Sequence, residues 1–176
     1  TVAQNIAFPL KMAKRPAGEI PVMVKEVLDK VHLVDKSDRF PHELSGGMQQ
    51  RCNLARALTV DPQILIMDEP FASLDAQTRE IMQLELLRIW TEAKKTVIFI
   101  THQINEAIYL AGRVIVFGAR PGRVKNVLKI DIPRPRPLAV KRDKKFLDYE
   151  DSLWNQIEEE VRKTMVADQV IYNIDA

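Results

Sequence analysis

Two short, wholly apolar runs constrain the fold of this chain more than any other feature. They are Ile64–Met67 and Val97–Ile100, and apolar residues at helical spacing lie between them, including Ile81, Leu84 and Leu87. A short continuous apolar run is typical of a strand that is buried on both faces. Strands that alternate with helices favour a parallel α/β sheet with right-handed crossovers. The sequence therefore predicts an α/β domain whose core strands are parallel and buried.

Helices around the first strand are marked by capping residues and apolar spacing. One helix is predicted from Pro21, a residue suited to the first helical turn, to about Val34. Ser45 is a good N-cap for a second helix that runs to about Leu58. A third helix is predicted to begin at or next to Asp75 and to link the two apolar runs.

After the second apolar run, the chain is predicted to form one more helix and two strands, followed by a basic connector and a long helix. A short helix is predicted over roughly 104–110, followed by strands at Val114–Phe117 and Val124–Ile130 with a turn at Pro121-Gly122 between them. The alternating Pro and Arg residues of 133–137 cannot enter a sheet interior, so they predict an extended, basic connector. A long amphipathic helix should follow, with an apolar stripe formed by Phe146, Tyr149, Leu153, Ile157, Val161 and Met165.

Composition narrows the class of protein. The chain has 26 Lys and Arg against 24 Asp and Glu, and this net charge of +2 does not indicate a nucleic-acid partner. The apolar runs are far shorter than the ~20 residues that span a bilayer. A single cysteine, Cys52, excludes an internal disulfide and a cysteine-based metal cluster. These properties predict a soluble intracellular protein.

Residues able to do chemistry come directly after each apolar run. Asp68 and Glu69 follow the first run, and His102 comes at the end of the second. Ligands bind at the carboxyl ends of parallel strands, so these three side chains are candidates for one site. Two adjacent carboxylates are costly to desolvate without a cation, which favours a metal ion. The alternatives are a strand that ends in a charged turn and a histidine with a structural role.

A Ser-Gly-Gly turn opens the second predicted helix. Gly46 and Gly47 would let the backbone approach a ligand closely, and the free N–H groups of a helix start favour an anion. A phosphate is therefore a plausible ligand beside Ser45. The alternative is an ordinary loop with a serine cap.

Together, four segments resemble motifs of the ATP-binding subunit of ABC transporters. Leu44–Met48 is similar to the signature motif, and Ile64–Glu69 is similar to the Walker B motif. Ser73–Asp75 is similar to the D-loop, and His102 is similar to the switch histidine. The resemblance covers roughly residues 1–135 and implies a P-loop NTPase fold.

The resemblance implies roles for the acidic residues and the histidine. Asp68 would hold Mg²⁺, directly or through water, and Glu69 would be the general base for the attacking water. His102 would contact the γ-phosphate of ATP and help to fix the water.

The resemblance also implies a site shared between two protomers. Ser45, Gly46, Gly47 and Met48 would hold the γ-phosphate of an ATP bound to the opposite protomer, although Met48 replaces the usual glutamine of the motif. Asp75 would link the two sites across the dimer. Splitting the phosphate donors between subunits would couple chemistry to dimer closure.

Four segments resemble the nitrate, sulfonate and taurine importers within this family. They are Glu43–Arg51, Asn105–Ala111, Pro121–Arg123 and Asp131–Arg136. This resemblance implies a subunit that hydrolyses ATP to power solute uptake. Its partners would be a second ATPase subunit, transmembrane permease subunits and a separate solute-binding protein. The subunit would lie in the cytoplasm, on the inner face of the membrane.

The phosphate-binding loop of the family is not found in the chain. No segment reads G-x-x-x-x-G-K-[S/T], so the sequence predicts an incomplete ABC ATPase domain without its Walker A region. A helical subdomain would cover about 1–58, the rest of the catalytic core about 59–135, and a C-terminal helical extension 136–176. The isolated chain is accordingly expected to be inactive. Two alternatives remain open: a truncated, non-catalytic module that offers its signature turn to a full-length partner, and a soluble ABC ATPase without a transport role.

Overall fold

The computed structural model describes residues 1–93, 95–118 and 121–167. Helices and strands are mixed, which confirms the predicted α/β class. The order of elements is α1 Val2–Met12, α2 Ile20–Lys30, α3 Gly46–Leu58, β1 Ile64–Asp68, α4 Ala76–Ala93, β2 Thr96–Ile100, α5 Ile104–Leu110, β3 Arg113–Gly118, β4 Arg123–Lys129 and α6 Lys144–Ala167. The chain divides into two compact units, Thr1–Ile100 and Thr101–Ala176. The predicted boundaries near residues 58 and 135 stay predictions.

Helix α1 was not predicted from the sequence. Val2, Ile6 and Leu10 are fully buried at a spacing of four residues, and the helix packs against α2 and α3. The Thr1 hydroxyl accepts a hydrogen bond from the N–H of Gln4, as in a capping box. This Thr-x-x-Gln pattern is the local signal that could have predicted the helix.

Helix α2 ends at Lys30, four residues before the predicted end at Val34. His32 adopts a left-handed conformation with φ 54°, and its N–H donates to the Asp29 carbonyl at 3.0 Å. The N–H of Leu33 donates to the Leu28 carbonyl at 2.9 Å. These two bonds form a Schellman motif, which stops a helix. The motif usually has glycine in the left-handed position, so the histidine gave no sequence signal.

Strands β1 and β2 pair in parallel, with Ile64 opposite Thr96 and Asp68 opposite Ile100. This confirms the predicted parallel core strands. The prediction that both strands are fully buried was wrong. Leu65 is buried, whereas Ile66 on the opposite face is 66% exposed and Ile98 is 48% exposed. In the described part of the chain β1 and β2 pair only with each other, and a two-stranded sheet covered on one face leaves its other face accessible.

In the second unit, β3 and β4 form an antiparallel hairpin with an irregularity between Val116 and Phe117. The predicted parallel arrangement therefore does not extend to these strands. Only residues 119–122 connect them, and a parallel pair needs a crossover of roughly a dozen residues or more.

Helix α6 packs on α5 and β3. Phe146 and Leu153, two residues of the predicted stripe, are almost completely buried. The side chains of Val161 and Met165 lie outside the described residues. Over residues 1–93, 95–118 and 121–167, none of the helices has the length and apolar character needed to cross a membrane.

The two arginines of the basic connector hydrogen-bond to the end of α5. Arg134 donates to the Leu110 carbonyl, and Arg136 is only 4% exposed. Arg136 donates to the carbonyls of Ile132, Ile108, Tyr109 and Ala111. Both guanidinium groups thus satisfy the carbonyl end of α5, where positive charge also complements the helix dipole.

Candidate functional site

Ser45 is the N-cap of α3, as predicted. Its backbone is extended, and its hydroxyl accepts a hydrogen bond from the N–H of Met48 at 3.4 Å. The side-chain amide of Gln49 donates to the carbonyls of Pro41 and Leu44 at 2.9 and 3.3 Å. These two bonds connect the preceding turn to the helix. Ser45 and Gly46 are exposed, so the first turn of α3 presents its N–H groups at the surface.

Gly47 is buried where α3 approaches the start of α4. A Cβ atom at Gly47 would lie 2.9 Å from Thr78 Cγ2, and one at Gly46 would lie 3.3 Å from Leu74 Cδ2. A separation of 2.9 Å is shorter than real Cβ contacts, so a side chain at Gly47 would displace Thr78. The glycine pair therefore has a packing role that its sequence pattern did not reveal.

Replacing Gly47 with alanine should destabilise the chain. Overpacking against Thr78 should lower the free energy of unfolding by about 1–3 kcal/mol. The better helix propensity of alanine offsets about 1 kcal/mol of that loss. We expect a lower urea midpoint by circular dichroism. The loss should be smaller when Thr78→Ser removes the obstructing methyl group. Gly18→Ala is the matched control, because no atom lies within 4 Å of its added Cβ. Equal losses at both glycines would contradict the packing argument.

Asp68 and Glu69 lie at the carboxyl end of β1, and both side chains are exposed. Glu69 leaves the strand in a left-handed conformation with φ 44°. Its N–H donates to the Ile100 carbonyl of β2 at 2.9 Å. A left-handed residue other than glycine costs about 1–2 kcal/mol, so the sheet-end hydrogen bond holds Glu69 in an unfavourable conformation.

Asp75 caps α4, which confirms the predicted helix start. Its carboxylate accepts from the N–H of Thr78 at 3.0 Å. Hydrogen bonds from Thr78 lower the pKa of the Asp75 carboxyl below its ordinary value. Arg79, which the sequence analysis did not select, donates to the carbonyls of Phe71 and Leu74 at 3.3 and 2.7 Å. Arg79 therefore braces the loop that connects the acidic pair to Asp75.

A cleft of about 330 Å³ lies between α3, β1 and α4. Asp68 and Glu69 line it together with Gln50, Asn53 and Leu65. Within the first unit, the fold therefore brings the acidic pair to the side of α3, the helix that begins with the Ser-Gly-Gly turn.

The acidic pair fits a metal that arrives with a phosphate ligand. In the part of the chain that the structure describes, no group of three or more His, Cys, Asp and Glu residues could hold a metal ion. Mg²⁺ at phosphate sites commonly takes only one or two protein carboxylates. Asp68 supplies one such carboxylate and therefore meets that requirement without Glu69.

His102 belongs to the second unit. It is exposed and lies two residues before α5. Its placement beside Asp68 and Glu69 stays a prediction.

Comparison with known proteins gives consistent matches. A family model described as "ABC transporter" matches residues 1–72. An ABC transporter ATP-binding protein of Methanocaldococcus jannaschii is 47% identical over 165 residues, which are 94% of this chain and 61% of the relative. The aliphatic sulfonates import ATP-binding protein of Bacillus licheniformis is 46% identical over 136 residues, 77% of this chain and 52% of the relative. The nitrate import ATP-binding protein of Synechocystis sp. is 40% identical over 159 residues, 87% of this chain and 60% of the relative.

The matched regions contain the motifs described above. The chain spans between about half and three fifths of the length of these relatives. The family match at 1–72 includes the Ser-Gly-Gly turn of α3 and the acidic end of β1. The chain therefore belongs to the ABC transporter family of ATP-binding proteins.

Proposed function

We propose that this chain forms the signature, Walker B and switch part of an ATP-hydrolysing subunit of an ABC importer. The observation that carries the proposal is the acidic end of β1. There Glu69 leaves the strand in a left-handed conformation, and its N–H donates to the Ile100 carbonyl of β2. Glu69 also lines a cleft beside the signature helix α3. The backbone of Glu69 is thereby fixed, and its exposed carboxylate lines the cleft in which we place the attacking water.

Each acidic residue has a separate task in this proposal. Asp68 would hold Mg²⁺, which neutralises charge on the phosphate oxygens when it is bound. Glu69 would accept the proton of the attacking water. His102 would donate a hydrogen bond to the γ-phosphate and orient the water. The exposed carboxylates and imidazole are accessible to such a ligand.

The first turn of α3 would act on a nucleotide held by a second subunit. Ser45 and the N–H groups of Gly46 and Gly47 offer hydrogen bonds to an anion, with Met48 next to them in the same turn. Asp75, which caps α4 close to this turn, would carry the link between the two sites. A homodimer with two shared sites follows from this arrangement.

The names of two relatives support a transport role. One is named for import of aliphatic sulfonates and another for import of nitrate. We therefore propose a small oxyanion solute of the nitrate, sulfonate or taurine type. Permease subunits and a solute-binding protein would complete the transporter, with this subunit on the cytoplasmic face.

Mixed dimers test the shared site with residues of this chain alone. The host is a chimera in which the 176 residues replace the matched segment of the Synechocystis nitrate import protein. A Ser45→Arg subunit is paired with a Glu69→Gln subunit, and differently tagged mixed dimers are purified. Action across the dimer leaves one intact site, so turnover should exceed that of either variant alone by at least about 10-fold. This follows because removing one stabilising donor costs roughly 10²–10³-fold.

The reciprocal pairing is the matched control. A subunit carrying both substitutions is paired with an unmodified subunit, so that every shared site has one defect. Action across the dimer predicts low turnover and abnormal nucleotide occupancy for this pair, whereas action within one subunit predicts the opposite order. Higher activity in the reciprocal pairing, or equal activity in both, would contradict the proposal.

A further inference from the structure

Glu106 is the one acidic residue among the described residues that is buried, with 3% exposure. It lies in the first turn of α5, four residues after His102. A buried carboxylate is costly unless it is hydrogen-bonded, so its partners indicate what it holds in place.

The Thr101 hydroxyl donates to Glu106 Oε2 at 2.7 Å. This length is typical of a well-formed O–H···O hydrogen bond. The same hydroxyl accepts from the N–H of Gln103 at 3.0 Å. Thr101 and Gln103 are the two neighbours of His102, so one buried carboxylate restrains the backbone on both sides of the histidine.

The helix that carries Glu106 is itself anchored. Ile108 and Tyr109 are fully buried in the second unit. At the other end of α5, Arg136 donates to the carbonyls of Ile108, Tyr109 and Ala111 at 2.8–2.9 Å. The position of Glu106 is therefore set by the packing of the unit and not by solvent-exposed contacts.

We propose that Glu106 is a positioning residue that acts through Thr101 to hold His102 for its contact with the phosphate. The inference rests on the proposed function of His102 and deepens it. A carboxylate that only stabilised the start of α5 would support folding without affecting turnover. A positioning residue affects turnover even when folding is intact, and this difference is measurable.

The kinetic test compares Thr101→Val with Thr101→Ser in the chimera. Valine keeps the shape of threonine and removes the hydroxyl, whereas serine keeps the hydroxyl. We expect Thr101→Val to lower kcat by about 10- to 100-fold with little change in KM for ATP, because small misplacements of a catalytic group can cost that much. Thr101→Ser should retain turnover within about two-fold. Thr96→Val, which removes an exposed hydroxyl from β2, is the control.

Amide hydrogen exchange of the 176-residue chain, without nucleotide, gives a second readout. Loss of the hydroxyl should speed exchange at Gln103 by about 10-fold. The Ala111 amide, which donates to the Ala107 carbonyl, should stay unchanged and report that α5 is intact. Glu106→Met should reproduce the effect of Thr101→Val. Glu106→Gln, which still offers an oxygen to the hydroxyl, should be milder.

The outcomes separate the two ideas. Faster exchange at Gln103 with unchanged kcat would make the contact purely structural and overturn the inference. A fall in kcat without a change in exchange would overturn the route through Thr101. If turnover of the chimera is unaffected by Glu69→Gln, the proposed function fails and the inference falls with it, whatever the exchange data show.

Discussion

Replacing Glu69 with glutamine in the chimera should lower ATP turnover by at least about 100-fold, because a general base contributes roughly 10²–10⁴-fold to such a reaction. Glutamine has nearly the same shape and makes no demand on the backbone that glutamate does not. The hydrogen bond from the residue 69 N–H to the Ile100 carbonyl should therefore survive. What is lost is the ability to take a proton from water. Nucleotide binding should persist, and phosphate release with Mg-ATP measures the effect.

Glu26→Gln is the control for this substitution. Glu26 is an exposed carboxylate on α2, so the change in charge is the same and turnover should stay within about two-fold. A Glu69→Gln chimera that hydrolyses ATP as fast as the Glu26→Gln chimera would rule out Glu69 as the base. Retained binding with lost turnover would separate catalysis from a folding defect.

Replacing Arg136 with alanine should reduce the free energy of unfolding by at least about 3 kcal/mol, because hydrogen bonds to charged groups contribute about 1.5–3 kcal/mol each. The guanidinium donates to four backbone carbonyls, of which those of Ile108, Tyr109 and Ala111 belong to the end of α5. The Tyr109 hydroxyl donates in turn to the Arg136 carbonyl at 2.8 Å. Urea unfolding followed by circular dichroism measures the loss.

Lysine at position 136 should rescue only part of the stability. Burial lowers the pKa of Arg136 to about 10, so the guanidinium is still charged at neutral pH. All of its N–H groups therefore remain hydrogen-bond donors. A lysine ammonium keeps the charge but cannot reach the same carbonyls in a planar arrangement. Arg142→Ala, at an exposed arginine, is the control. A loss below about 1 kcal/mol for Arg136→Ala would contradict the capping role, since typical surface changes stay within about 0.5 kcal/mol.

Local signals in the sequence determined the elements that carry the candidate site. Ser45 and Asp75 start helices because their side-chain oxygens accept from backbone N–H groups three residues later, and that bond depends only on nearby residues. The two apolar runs formed strands as their composition predicted, and the helix-length connection between them is what a parallel pair requires. The acidic pair was predicted at the end of the first strand, and it lies there.

Long-range packing decided the features that the sequence analysis missed or misjudged. The exposure of Ile66 depends on how many strands and helices cover β1, which no local pattern records. The need for glycine at position 47 depends on Thr78, 31 residues away on another helix. The basic connector became a cap because Arg136 meets the carbonyl end of α5 across 25 to 28 residues of sequence. Propensity and capping act over one helical turn and can be read from the chain, whereas burial and close approach depend on which distant residues meet, and only the tertiary structure specifies them.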